Sequence, residues 1–273
     1  IETYAEYMNF GNCSFSNNTQ YGVYINSANN IFSNCTVIQN SKSGVFVDTS
    51  AKTTNNMFFG NQINHNLEHG VFLNTDTSNT IIQSCKVIAN SYHGIYNYAS
   101  GYNVILGNTV TTNSYGNPNQ YDQICIAQGS LRCNVSNNSV LKYSGGARYG
   151  INEISSSDYN VYVGNVINTH TTGTMNITGA NSSISKNIGY INENKGTATI
   201  TTGQTTVDVT HGLAAAPTRV ILSPTTATAG KDYYVRGTFT RKNLDFGTDV
   251  LHLADLGFDQ ISIEPVVAAK DSG

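Results

Sequence analysis

The chain reads as an all-β solenoid, a stack of short coils, on three observations. First, Cys or Asn returns at one slot, at Cys13, Cys35, Asn61, Cys85, Asn108, Asn138, Asn165 and Asn187, in steps of 22, 26, 24, 23, 30, 27 and 22 residues. A period of that size marks stacked coils. Second, three columns of bulky apolar residues repeat in phase with the slot. Third, the residue before the slot is Asn12, Asn34, Gly60, Ser84, Gly107, Asn137 and Gly164, a column dominated by Gly and Asn. These two residues enter the left-handed backbone region cheaply, as a sharp corner requires.

One coil shows the elements in order. Ile31-Phe32-Ser33 is strand-prone, Asn34 turns the corner, and Cys35-Thr36-Val37-Ile38 forms a second strand. Gln39 to Ser43 make the next corner, and Gly44-Val45-Phe46-Val47 the third strand. The column of Phe32 contains Phe10, Phe58, Ile82, Ile105, Val135 and Tyr162; that of Val37 contains Phe15, Ile63, Val87, Val110, Val140 and Ile167; that of Val45 contains Val23, Val71, Ile95, Ile124 and Ile151. These are expected to point inward and stack from coil to coil. An Asn in the slot can bond corner backbone groups that no strand partner reaches, and Cys shares the slot as a small buried side chain without those bonds. A second Asn column runs Asn18, Asn40, Asn66, Asn90 and Asn113. Cys125 and Cys133 fall outside the slot, and two free thiols or a bridge between them both remain open on spacing alone. The Asn-x-Ser/Thr matches follow from the Asn columns and are not taken as glycosylation sites.

Composition narrows the function classes. The 273 residues are 11% charged, with a formal net charge of -3. No basic stripe suggests nucleic acid, and no apolar run is long enough to span a membrane. No signal peptide is evident, and the chain opens with Ile1 inside the repeat, as a mature or excised piece of a longer protein would. After Asn192–Lys195 the Asn columns stop. Thr197–Thr201, Thr205–Thr210, Arg219–Ser223, Tyr233–Thr240 and Gln260–Val267 read as strands between Gly, Pro and Asp turns, which predicts a small antiparallel β-sandwich over 196–273. It would cap the stack, bind sugar or mediate oligomerisation.

The triangular coil, the Asn34-Cys35 corner and the Asn40–Phe46 segment together make residues 9–191 resemble the right-handed parallel β-helix of the pectate-lyase-like superfamily, with NosD-like repeats. The segment Val209–Val220 resembles sandwich modules appended to β-helix and phage-tail proteins. The resemblance implies a right-handed parallel β-helix of about seven to eight coils over 1–195. It also implies an extracellular, virion or cell-surface setting, a polysaccharide or glycan partner, and a homo-oligomer such as a trimer as one option. It does not select an activity. The acid cluster of the calcium-dependent lyases and the Asp-Pro-His type motif of alginate epimerases are both absent, which points away from those chemistries. No cofactor or metal is expected; His65 and His69 are four apart, but on no helix.

Candidate site residues follow from the register. Outward between two inward columns stand Tyr24, Phe46, Phe72 and Tyr96, then Cys125 and Asn152. With coils about 4.8 Å apart, this predicts an exposed aromatic ladder, a platform for pyranose rings or a surface packed against another chain. The longest insertion, Ser114 to Asp122, adds Tyr115 and Tyr121 beside Tyr96 and Tyr98. Glu153 falls in a column that is aliphatic in most other coils, at Ile25, Val47, Leu73 and Ile126. Either a register slip turns it outward or it has a purpose. On the second reading Asp122 and Glu153 form a carboxylate pair suited to glycoside hydrolysis, with His93 and Arg148 positioning an anionic substrate group. Two functions stand side by side. One is a polysaccharide-recognising β-helix, with cleavage of its ligand by the carboxylate pair left open. The other is a non-catalytic adhesin, fibre or tailspike-like stalk.

Overall fold

The computed structural model describes residues 1–49, 53–143 and 146–190, together with the strands Gly196–Ala198, Ile221–Pro224 and Ile261–Glu264. Among the described residues there is no helix, and so none that could cross a membrane. Two compact units are present, Ile1–Gly189 and Tyr190–Asp271.

The first unit is a parallel β-helix with three sheets of 8, 8 and 7 strands. Sheet A contains Val23–Ile25, Val45–Val47, Val71–Leu73, Ile95–Tyr98, Ile124–Ala127 and Tyr149–Glu153, flanked by Glu2–Thr3 and Gly173–Ile177. Sheet B runs from Asn9–Gly11 to Ser183–Ser185, and sheet C from Ser14–Ser16 to Val166–Ile167. Strands pair with their equivalents one coil away, and the registers reproduce the predicted columns. Phe32 lies between Phe10 and Phe58, Val37 between Phe15 and Ile63, and Val45 between Val23 and Val71. Phe58, Ile63, Val71, Ile82, Ile95 and Ile105 are fully buried. All seven predicted corner residues take φ between 53° and 67°.

The slot is a hydrogen-bonded ladder. The Asn61 Oδ1 accepts the Cys35 N–H at 2.8 Å, and its Nδ2 donates to the Phe32 carbonyl at 2.9 Å. Asn108, Asn138 and Asn165 repeat both bonds on Cys85, Asn108 and Asn138 with their preceding strands. Each Asn therefore clamps the coil before it. The cysteines do more than fill space. Cys35 and Cys85 thiols approach the matching carbonyls, Phe10 O at 3.4 Å and Phe58 O at 3.5 Å. What a thiol lacks is the acceptor: Asn61 reaches only the Cys85 sulfur, at 3.8 Å. The second column forms the same ladder from Asn18 to Asn113 and ends on the Gln123 side chain, 2.6 Å from Asn113 Nδ2. A third ladder was not foreseen. Asn30, Asn56, Asn103 and Asn160 precede sheet B strands and accept N–H bonds from Met8, Asn30, Thr80 and Cys133. Cys133 belongs to that ladder, and both Cys125 and Cys133 are free thiols, so the bridge left open by spacing does not form.

In the second unit, Gly196–Ala198 and Ile221–Pro224 pair antiparallel with opposite edges of Ile261–Glu264. These overlap three predicted strands. The segments 205–210 and 233–240 lie outside the described residues.

Replacing Asn138 by Ala should destabilise the chain by about 2–4 kcal/mol, because it strands the buried Asn108 amides. Cys85→Asn should instead add about 1 kcal/mol by supplying the missing acceptor. Urea unfolding of both variants checks the pair; a destabilised Cys85→Asn would contradict the ladder account.

Candidate functional site

Sheet A presents two adjacent outward rows. In three coils the residue before the strand-opening Gly and the residue three further on lie side by side: Tyr21 with Tyr24, His69 with Phe72, His93 with Tyr96. The Gly between them is forced at Gly44, Gly70 and Gly94, where a Cβ would lie within 2.6–2.8 Å of a carbonyl of the next coil. The row of Tyr24, Phe46, Phe72 and Tyr96 has the predicted register. It is not the flat exposed ladder that the sequence suggested. Phe46 is 9% exposed, and the others are half-buried. Tyr24 packs on Phe46 at 5.7 Å and 27°, but Phe46 meets Phe72 edge-on at 71°. The rings bury one another because the neighbouring row is also aromatic. Tyr21 stacks on Phe46 at 4.6 Å, and His69 on Tyr96 at 4.9 Å.

The cluster is densest where the insertion folds back. Ser114 Oγ bonds the Asn117 carbonyl and accepts the Tyr121 N–H, pinning the loop, and Asn119 N–H reaches Gly146 O. Tyr121 thereby stacks on Tyr92 at 4.4 Å and stands edge-on to His93 at 5.1 Å. His69 and His93 stack at 5.4 Å and 5°. Tyr98 meets Tyr96 at 5.6 Å. Tyr115 is exposed at the loop surface. His69 and Tyr92 belong to the site as much as the residues singled out from sequence. The recurring spacing of three could have found His69, and Tyr92 is marked only by adjoining His93.

Both histidines are neutral. Burial holds His69 well below the ordinary histidine range, and the neighbouring His93 lowers it further. Burial pushes His93 down to about 3, with the Arg148 charge acting in the same direction. The Asp122 N–H donates to His93 Nδ1 at 2.9 Å, so the ring proton sits on Nε2. With a neutral ring, the 3.7 Å approach of Asp122 Oδ2 is a contact and not an ion pair.

Asp122 ends the aromatic row. Its fully buried carboxylate accepts two bonds from Arg148, Nε at 3.1 Å and NH2 at 2.9 Å, one from the Tyr149 N–H and one from Asn152 Nδ2 at 2.8 Å. Such a saturated group is locked in place. Arg148 is the half-exposed lid of this knot and lies over the Tyr149 ring.

Glu153 is elsewhere. Its neighbour Asn152 points to Asp122, and alternation along the strand sends Glu153 to the opposite face, into the coil interior. There its carboxyl accepts Asn160 Nδ2 and Ser182 Oγ at 2.6 Å each, and the Gly179 N–H at 3.1 Å. The expected carboxylate pair across one cleft is therefore not formed. No register slip occurs either; Glu153 pairs with Ile126 and Ile177 in its column. Its purpose is to satisfy interior polar groups at the coil's end. Asn97 does the same in that column, bonding Ser100 and Asn103.

His93, Asp122 and Cys125 place ligating atoms within 4.8 Å of one another, the one such trio among the described residues. The imidazole Nδ1 already holds an amide proton and the carboxylate is saturated, while burial, with Asp122 nearby, pushes the Cys125 thiol well up and keeps it protonated.

Residues 3–119 match the family described as "Periplasmic copper-binding protein (NosD)". No curated protein matches the chain. Solved structures similar to it include the A-module of the Azotobacter vinelandii mannuronan C-5 epimerase AlgE6, at 19% identity and TM-score 0.58, covering 68% of this chain and 56% of that one. The AlgE4 A-module from the same organism gives 19% and 0.59, over 63% and 50%. The periplasmic alginate epimerase AlgG gives 18% and 0.55, over 64% and 43%. This chain thus spans about half the length of those structures. At these identities the likeness is one of fold, the parallel β-helix. The trio of His93, Asp122 and Cys125 does not fit a copper ion as it stands, because the imidazole Nδ1 and the carboxylate are already engaged and the thiol is held protonated.

Two outcomes are expected. Glu153→Gln should cost about 1–3 kcal/mol in urea unfolding, since an amide turns a donor toward Asn160, Ser182 or Gly179. Unchanged stability would place Glu153 outside this network. Second, His69, His93 and His170 all have folded pKa values below the unfolded 6.5. The unfolded chain then binds more protons, so stability falls as pH drops below about 6.5 and keeps falling toward the folded values. Thermal melts from pH 7 to 4 should show that slope, and His69→Phe should flatten it.

Proposed function

We propose that this β-helix is a glycan-recognising scaffold, with sheet A as its binding face. The observation that carries this reading is the stacked Tyr92–Tyr121 pair, half-exposed and set over the neutral His69 and His93 rings. An insertion held by Ser114 brings Tyr121 there, and loops fixed on a rigid scaffold commonly carry function. Half-exposed ring faces and neutral imidazole N–H groups suit the C–H faces and hydroxyls of a pyranose chain. Tyr21, Tyr24 and Tyr98 extend the same surface toward the amino terminus and the sheet edge.

The charge around the face favours an uncharged glycan over a polyuronate. Asp48 and Glu68 edge the aromatic cluster, bonded by Tyr24 and Ser43 respectively. Of the cations near it among the described residues, Lys42 lies over the Tyr21 ring and Arg148 is neutralised by Asp122. Recognition without cleavage is the better supported form of this function, because Asp122 is saturated and Glu153 points inward. A glycan-binding chain of this kind acts outside the cell or at a cell or virion surface. Its second unit then serves as a cap, a binding module or an oligomerisation module.

Binding of neutral oligosaccharides, followed by titration calorimetry across a panel of hexose polymers, tests the reading. Tyr121→Ala should weaken binding about fivefold, the equivalent of roughly 1 kcal/mol of ring stacking. Phe46→Leu, beneath the surface, should leave affinity unchanged. A panel without a single binder, or a Tyr121→Ala chain that binds as wild type, would sink the proposal. Depolymerisation of the bound polymer by wild type would restore the cleaving alternative.

A further inference from the structure

A second cluster stands on the corner between sheets A and B and plays no part in the face just described. The residue closing that corner is Tyr7, Asn29, Asn55, Asn79, Tyr102, Arg132 and Tyr159 in successive coils, each with φ between 53° and 63°. In the central coils Asn occupies it, as the left-handed conformation favours. In the last three it becomes Tyr, Arg and Tyr. Non-Asn residues at such corners are not diagnostic alone, since the corner after sheet C takes Gln39, His65, Ala89 and Thr112. The arrangement of the three side chains is.

The Arg132 guanidinium lies between the two rings, 5.7 Å from the Tyr102 centroid and 5.5 Å from that of Tyr159. Its NH1 donates to the Tyr102 hydroxyl at 3.3 Å. Tyr102 is 53% and Tyr159 51% exposed, and Arg132 is exposed as well. Among the described residues Arg132 has no carboxylate within ion-pair distance, unlike Arg148. The neighbouring Asp158 is engaged by both amides of Asn181 and by the Tyr159 N–H. The cluster is thus an exposed guanidinium with an aromatic ring from the coil on either side.

We infer that Tyr102, Arg132 and Tyr159 form a binding site for a sugar residue bearing an oxyanion, a carboxylate or a sulfate. The guanidinium fork matches a planar or tetrahedral oxyanion with two parallel N–H bonds, and the exposed Tyr rings offer faces to the sugar ring. Stacking on the rings holds the fork in place, so less rotamer freedom is lost on binding. The site takes the charge class that the acid-edged sheet A face disfavours, and it stands or falls independently of that face.

The test uses the full chain with three probes in calorimetry: a uronate oligosaccharide, a sulfated oligosaccharide and inorganic sulfate alone. Wild type should bind at least one of the two sugars, and which one identifies the anion. Arg132→Asn should weaken that binding tenfold or more, and the Tyr102→Asn/Tyr159→Asn double variant should weaken it as well. All three substitutions place Asn where this corner already carries it, so melting temperatures should hold or rise and loss of binding cannot be ascribed to unfolding. Tyr121→Ala should not affect these probes. The inference is overturned if neither sugar binds, if Arg132→Asn binds as wild type, or if inorganic sulfate binds as tightly as the sugars.

Discussion

The structure depends on asparagine side chains bonding backbone. Strands of two to five residues leave much of each coil in corners, where N–H and C=O groups have no sheet partner. Burying them unpaired would cost about 1–3 kcal/mol apiece. Three ladders of Asn amides inside the coil accept the N–H of the preceding coil, and most donate to one of its carbonyls. The bonds run from coil to coil, so they also set the stacking. Every outward position on the three sheets inherits its place from this interior lattice, including the aromatic rows of sheet A and the Tyr–Arg–Tyr corner.

The columns were legible because each obeys one physical demand. Apolar columns must face in, corner residues must accept positive φ, and slot residues must bond backbone. Repetition through seven coils separates these demands from noise. The third ladder is hard to see in the sequence because Thr80, Cys133 and Ser182 interrupt it, although the neighbouring Asn residues still accept from Thr80 and Cys133. The site was read less well than the fold, for a related reason. Register tells which face a residue takes, but not what covers it. Phe46 was rightly placed outward, yet Tyr21 buries it.

Glu153 shows the same limit from the other side. A carboxyl in an aliphatic column signals function or slippage when only the column is considered. Its partners come from later corners, Asn160, Gly179 and Ser182, and no periodicity announces them. Asp122 likewise owes its environment to Arg148, Tyr149 and Asn152 one coil on. Both acids end as structural anchors at the point where the aromatic half of sheet A gives way to the polar half. The scaffold therefore offers surfaces more readily than it offers reactive groups: His69 and His93 are neutral and the thiols of Cys85 and Cys133 are raised by burial to about 11.

A crystal structure of the chain with a bound neutral oligosaccharide tests the central claim most directly. The account places the sugar rings along sheet A, against Tyr92, Tyr121 and Tyr98, with hydroxyls near His69 and His93. Sugar density on another face, or a second copy of the chain packed over Tyr92 and Tyr121 in place of the ligand, would contradict it.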